Sequence, residues 1–122
     1  MKKRKILICD DDQGILEVIK IMLETKSYQV KVLSNGKSIQ KQVASFQPDL
    51  ILLDIWMPGI DGREITKVLK KSDSSKGIPI IIISALNETK KMAAEIGAQG
   101  FLSKPFEMDD LLKTVDKYSS PL

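Results

Sequence analysis

Apolar residues recur along the chain in two rhythms, a short unbroken or alternating run followed by a helically spaced stretch, and this pairing occurs five times. Ile6 to Cys9, Leu50 to Leu53 and Ile80 to Ile83 are continuous aliphatic runs. Such runs predict strands covered on both faces, the middle of a parallel sheet. Tyr28 to Leu33 alternates instead, with Val30 and Val32 flanking Lys31, and Gly100 to Ser103 is short, so both predict edge strands. Between the runs, Ile15, Ile19, Met22 and Leu23 fall at helical spacing. So do Ile39 with Val43, Ile65 with Val68 and Leu69, Met92 with Ile96, and Met108 with Leu111, Leu112 and Val115. Asp109 and Asp110 open the last helix and Lys113 and Lys117 follow, matching its macrodipole. Strand and helix alternating over short connections predict an α/β fold: a doubly wound five-stranded parallel sheet with helices on both faces. Ser72 to Gly77 reads as a polar loop, and Ser119, Ser120 and Pro121 end the last helix.

Composition narrows the chemistry. The 122 residues match one domain and leave no room for a second, so any output is expected to act through a partner. Histidine is absent, which excludes Ser-His-Asp and Cys-His triads, imidazole acid/base catalysis and the common His-ligated zinc sites. Whatever chemistry exists must use carboxylates, amines and hydroxyls. The lone cysteine, Cys9, follows Ile6, Leu7 and Ile8 and reads as a buried core thiol, consistent with a reducing cytoplasm. A formal charge of +3, with its cations spread along the chain, does not point to direct nucleic-acid binding. Lys2, Lys3, Arg4 and Lys5 read as a solvated lead into the first strand. The first apolar run stops at Asp10, too short for a signal-peptide core or a membrane span.

In open α/β sheets, ligands bind beyond the carboxyl ends of the strands. Here the first strand runs into Asp10, Asp11 and Asp12, the third into Asp54 and the fourth into Ser84, while Lys104 and Pro105 follow the fifth. Asp12 reads as the N-cap of the first helix. The remaining acids would converge on one rim at a cost, because two carboxylates ~5 Å apart repel by about 3 kcal/mol at an effective dielectric of ~20. A divalent cation or Lys104 must offset that repulsion. With no imidazole present and only hard donors at the rim, Mg²⁺ is the expected ion, with Mn²⁺ a substitute. Such a site suits phosphoryl chemistry, in which an ionised carboxylate attacks phosphorus to form an acyl phosphate. Asp54, fixed at the end of a central strand, is the best-placed nucleophile. Lys104 and the Ser84 hydroxyl could then meet phosphoryl oxygens.

Four stretches carry a resemblance to the receiver domains of two-component response regulators, single-domain chemotaxis regulators included. They are Lys5-Ile6-Leu7-Ile8-Cys9-Asp10-Asp11-Asp12, Leu52-Leu53-Asp54-Ile55-Trp56-Met57-Pro58-Gly59-Ile60-Asp61-Gly62, Ile82-Ile83-Ser84-Ala85 and Gly100-Phe101-Leu102-Ser103-Lys104-Pro105-Phe106. Together they span Lys5 to about Tyr118 in the family's order and spacing. The resemblance implies a flavodoxin-like fold of strand order 2-1-3-4-5. It implies that Asp54 is the phosphoacceptor, that Asp10, Asp11, Asp54 and the backbone carbonyl of Trp56 hold the metal, and that Ser84, Lys104 and Phe101 form the phosphoryl-binding and switch set. It also implies a cis peptide at Lys104-Pro105. The donor would be a histidine kinase or a histidine phosphotransfer protein. The output would be an unknown protein partner meeting the region of the fourth helix, fifth strand and fifth helix, near Lys90, Lys91 and Phe106. The domain would catalyse only its own phosphorylation and dephosphorylation.

Other functions fit less of the sequence. A Mg²⁺-dependent aspartyl phosphohydrolase usually needs a general acid two residues after its nucleophile, where this chain has Trp56. A flavodoxin-like cofactor binder would need phosphate-cradling donors after the first strand, where Asp10 to Asp12 would repel a phosphate. A metal-free interaction module on the same fold stays open. Trp56 and Leu86 stand where the family tunes loss of the phosphoryl group. Neither an indole nor an aliphatic chain can position or activate water, so slow self-dephosphorylation is expected, and an acyl-phosphate lifetime of only seconds would contradict it.

Overall fold

Every side chain of Ile6 to Cys9, Leu50 to Leu53 and Ile80 to Ile83 is fully buried, as continuous aliphatic strands require. The computed structural model describes residues 3–57, 60–84 and 89–120. Within them the chain forms β1 (Lys5–Cys9), α1 (Gln13–Thr25), β2 (Gln29–Leu33), α2 (Ile39–Phe46), β3 (Leu50–Asp54), α3 (Gly62–Lys71), β4 (Ile80–Ser84), α4 (Thr89–Glu95), β5 (Gly100–Ser103) and α5 (Met108–Ser119). The five strands pair in parallel in the order β2-β1-β3-β4-β5. A two-residue antiparallel ladder between Trp56–Met57 and Ile60–Asp61 lies between β3 and α3, outside that sheet. Among the described residues, no helix is long and apolar enough to cross a membrane.

Alternation along the strands divides the interior into two cores. Leu7, Cys9, Ile51, Leu53, Ile80 and Ile82 pack with Ile39 and Val43 of α2, Leu69 of α3 and Met92 of α4. Ile6, Ile8, Leu50, Leu52, Ile81 and Ile83 meet Leu16, Ile19 and Leu23 of α1 and Leu111 and Val115 of α5. Helices α1 and α5 therefore cover one face and α2 to α4 the other, as right-handed crossovers from an off-centre first strand require. Each fully buried Leu or Ile contributes roughly 1.5–3 kcal/mol by leaving water. Cys9 is one of these buried groups, and burial, followed by the charges of Asp10 and Asp54, pushes its thiol up to about 12. It is the inert core thiol expected.

Three details differ from the sequence pattern. On α3 the buried face is Gly62, Thr66 and Leu69, leaving Val68 44% exposed. Val68 is one position from Leu69 and thus turned about 100° from it, while Thr66 enters the core by donating its hydroxyl to the Gly62 carbonyl at 2.8 Å. On α1, Leu16 is buried, and Ile15 and Met22 lie at the margin. Within the basic lead, Lys2 lies outside the described residues, Lys3 is exposed as expected, and Arg4 and Lys5 are engaged: Arg4 Nη1 reaches Asp116 Oδ1 at 2.9 Å, and Lys5 Nζ donates to the Phe46 carbonyl at 3.2 Å. These cations tie the amino end of β1 to α5 and α2.

Gly62 fixes where α3 begins. A Cβ built there would stand 2.8 Å from Ile55 Cα and 2.9 Å from its carbonyl oxygen, so only glycine lets the helix start close against the end of β3. Gly62→Ala gains helix propensity worth up to about 1 kcal/mol but forces backbone apart, for an expected net loss of about 1–2 kcal/mol. The denaturant midpoint of the variant measures it.

Candidate functional site at the carboxyl ends of the strands

Apart from Phe101, which lies within β5, each candidate residue is set at or just past the carboxyl end of a strand, and backbone pairing carries it there. Asp10 N–H donates to the Leu33 carbonyl at 3.1 Å, Ile55 N–H to Ile83 at 3.2 Å and Lys104 N–H to Ser84 at 2.9 Å. In register, Asp54 lies beside Ile83 and Ser84 beside Ser103. The parallel sheet thus brings Asp10, Asp54, Ser84 and Lys104 to one rim from widely separated parts of the chain. Asp10, Asp54 and Ser84 are 1%, 5% and 1% exposed, whereas Asp11 faces solvent.

Lys104 stands between the two buried acids. Its Nζ lies 2.7 Å from Asp10 Oδ2 and 3.2 Å from Asp54 Oδ2, the offset that the repulsion between them demands. The other oxygens are used locally: Asp10 Oδ1 accepts from Asp12 N–H at 3.0 Å and Asp54 Oδ1 from Trp56 N–H at 3.1 Å. Asp12 caps α1 as expected, its Oδ1 accepting from Ile15 N–H at 3.1 Å. Burial pushes the Asp54 carboxyl above its ordinary range. The Trp56 N–H and Lys104 oppose that shift and Asp10 adds to it, leaving the net direction upward. For Lys104, burial alone would lower the ammonium, but hydrogen bonding to Asp10 and the charges of Asp10 and Asp54 outweigh it and hold the group above its ordinary value.

One carboxylate oxygen from each of Asp10, Asp11 and Asp54 lies within 4.8 Å of the others. That set suits a hard divalent cation, since it offers only charged oxygen donors and opens to water through exposed Asp11. Phe101 is 40% exposed on the outer side of β5, beside a cavity of about 270 Å³ lined by Ala93, Ala94 and Tyr118 among others. The Lys104-Pro105 peptide is cis. Lys91 is exposed and Phe106 half-buried, while Leu86 and the Lys90 side chain lie outside the described residues.

A family model described as the response regulator receiver domain matches residues 6–116. The chain belongs to this family. Among curated relatives of this receiver domain, the DNA-binding dual master transcriptional regulator RpaA of Synechocystis is 34% identical over 91% of the chain and 47% of its own length. The transcriptional regulatory protein YkoG of Bacillus subtilis is 34% identical over 94% of the chain and 50% of its own. The receiver domain thus spans about half the length of the curated relatives it matches. Among solved structures, the chemotaxis response regulator CheY4 of Vibrio cholerae superposes with a TM-score of 0.88 at 28% identity, covering 96% of this chain and 99% of that one. The receiver domain of the Francisella response regulator 1452 gives 0.87 at 32%, covering 96% and 97%.

Sequence reasoning passed over Arg63. Its guanidinium carbon lies 5.5 Å from the centroid of the Trp56 ring, and its backbone N–H is capped by Asp61 Oδ1 at 2.9 Å. The available signal was Asp61-Gly62, a cap and a close-approach glycine that start α3 immediately before Arg63.

Removing the ammonium exposes the electrostatics of the receiver domain site. Lys104→Ala in metal-free buffer is expected to lose about 2 kcal/mol of stability, most of the roughly 3 kcal/mol repulsion that two carboxylates ~5 Å apart exert. Millimolar Mg²⁺ should recover more stability in the variant than it adds to the wild type. Thermal unfolding with chelator and with Mg²⁺ checks both.

Proposed function

We propose that this receiver domain is a phosphorylation-dependent signalling switch that accepts a phosphoryl group on Asp54. The observation that carries the reading is the buried Asp54 carboxylate, held among Asp10, Asp11 and Lys104 at the end of a central strand. The donor is a histidine kinase or a histidine phosphotransfer protein, because the chain has no histidine to carry the phosphoryl group itself. In the transfer, an Asp54 carboxylate oxygen bonds to phosphorus as the bond from phosphorus to the donor nitrogen breaks, and the imidazole keeps the electron pair. Mg²⁺, or Mn²⁺ in its place, would be held by Asp10, Asp11, Asp54 and the Trp56 carbonyl, and when bound it neutralises phosphoryl charge.

The chain's own groups do the rest. Lys104 exchanges its contact with Asp54 for a phosphoryl oxygen, and the Ser84 hydroxyl donates to another. The added charge favours the conformation in which those contacts form, and Phe101, outward in the structure described, turns in as Ser84 moves. Output follows through protein contacts on the face of α4, β5 and α5. An apolar recess of about 280 Å³, lined by Ile15, Pro105, Phe106, Met108 and Lys104, opens beside the site and offers the donor protein a foothold. RpaA is named a DNA-binding regulator and the chain matches 47% of it, so a DNA-binding output would belong to another polypeptide segment or a partner. The domain turns over no external substrate.

Trp56 is the chain's only tryptophan and adjoins the site, which makes it the reporter. Its fluorescence should change on adding Mg²⁺ and again on adding acetyl phosphate or beryllofluoride, with acetyl phosphate raising the mass by one phosphoryl group. Asp54→Ala should keep neither the second change nor the mass gain. A wild type silent to all of these, or sustained multiple-turnover release of phosphate from small phosphoesters, would falsify the switch reading.

A further inference from the structure

Arg63 is held with more precision than an exposed arginine needs. Gly62 seats the start of α3 against the Ile55 backbone, and the Trp56–Met57 strand pairs with Ile60–Asp61 directly before it. Asp61 grips Arg63 twice, accepting from its backbone N–H at 2.9 Å and facing its Nε at 3.9 Å. The guanidinium then lies 5.5 Å from the Trp56 ring centroid. Ile55 and Met57 both enter the core, so Asp54 and Trp56 face the other way, two residues apart on one side of the chain. The indole is 51% exposed. Half of the residue is open to water, and Arg63 is a cation that lies against its ring.

We infer that Arg63 is a positioning residue that fixes the Trp56 ring at the mouth of the site and so sets how readily water reaches a phosphorylated Asp54. This rests on the reading of Asp54 as phosphoacceptor. The reaction being slowed is hydrolysis: a water oxygen bonds to phosphorus, the bond from phosphorus to the Asp54 oxygen breaks, the carboxylate keeps the electron pair, and the water proton leaves to solvent with inorganic phosphate as product. Arg63 touches none of these atoms. It does not act as a spare charge for the phosphoryl group either, because Asp61 already opposes its charge and the guanidinium lies toward the ring. The relevant property is therefore a broad, planar cation set over an indole, which lysine reproduces in charge but only partly in shape.

The test compares wild type, Arg63→Gln, Arg63→Lys and Trp56→Phe, each phosphorylated with acetyl phosphate and followed by mass after donor removal. Loss of an exposed cation over the ring should shorten the acyl-phosphate lifetime in Arg63→Gln by about two- to fivefold, with Arg63→Lys intermediate. Acrylamide quenching of Trp56 should rise in the same order, a signature that general destabilisation of α3 would not produce in the folded protein. Because Trp56→Phe shrinks the ring that Arg63 positions, adding Arg63→Gln to it should change the lifetime less than Arg63→Gln does alone. An unchanged lifetime in Arg63→Gln, or a shortened one with unchanged quenching, overturns the inference while leaving the switch reading intact. If wild type takes up no phosphoryl group and Asp54→Asn behaves identically, the switch reading itself has failed.

Discussion

Two buried carboxylates ~5 Å apart in one pocket repel each other by about 3 kcal/mol unless a cation stands between them or one takes up a proton. Lys104 meets that demand with contacts of 2.7 Å to Asp10 and 3.2 Å to Asp54. Much of the architecture can be understood as delivering those three groups to one place. Asp10 needs β1 inside the sheet, Asp54 needs the central β3 beside it, and Lys104 needs β5 to run parallel with its end level with β4. The unbroken aliphatic strands supply the rigidity, since burial on both faces leaves no room for a strand to slide.

A site stabilised by one internal ammonium is also a site prepared to change. Any group that binds the acids competes with Lys104, and any group that brings negative charge to Asp54 gives Lys104 a new partner. Burial raises the Asp54 carboxyl and the two acids raise the Lys104 ammonium, so the arrangement is held by opposing electrostatic pulls. Ser84 ends β4 next to Ser103 of β5, and Phe101 lies two residues earlier on that same edge strand. Small displacements at the rim therefore have a short, continuous backbone route to an exposed aromatic ring.

The opposite side of the site is built for stillness. The Trp56–Asp61 ladder, the Gly62 contact with Ile55 and the Asp61 cap tie the start of α3 to the end of β3. Arg63 and Trp56 stand on that fixed base. One wall of the site is held by Lys104, which can change partners, and the other by backbone ties at the start of α3.

Sequence by itself determined the class of fold and pointed to the acids, the hydroxyl and the amine that meet at one rim. Continuous runs at Ile6, Leu50 and Ile80, four residues long and rich in branched aliphatics, read as strands buried on both faces, which puts the polar residues that end them at the carboxyl rim. The absence of histidine confined the chemistry to carboxylates, an amine and a hydroxyl. Tertiary structure decided what depends on relative placement. Periodicity could not say whether Val68 or Thr66 enters the core, because a turn of about 100° separates neighbouring helix positions and only packing against the sheet sets the zero. Nor could it say that Lys104 bridges Asp10 and Asp54, that Arg4 clasps Asp116, or that Arg63 lies on Trp56. Each of these pairs is made by elements whose approach is fixed by the whole sheet and its covering helices, and local sequence carries no record of that distance.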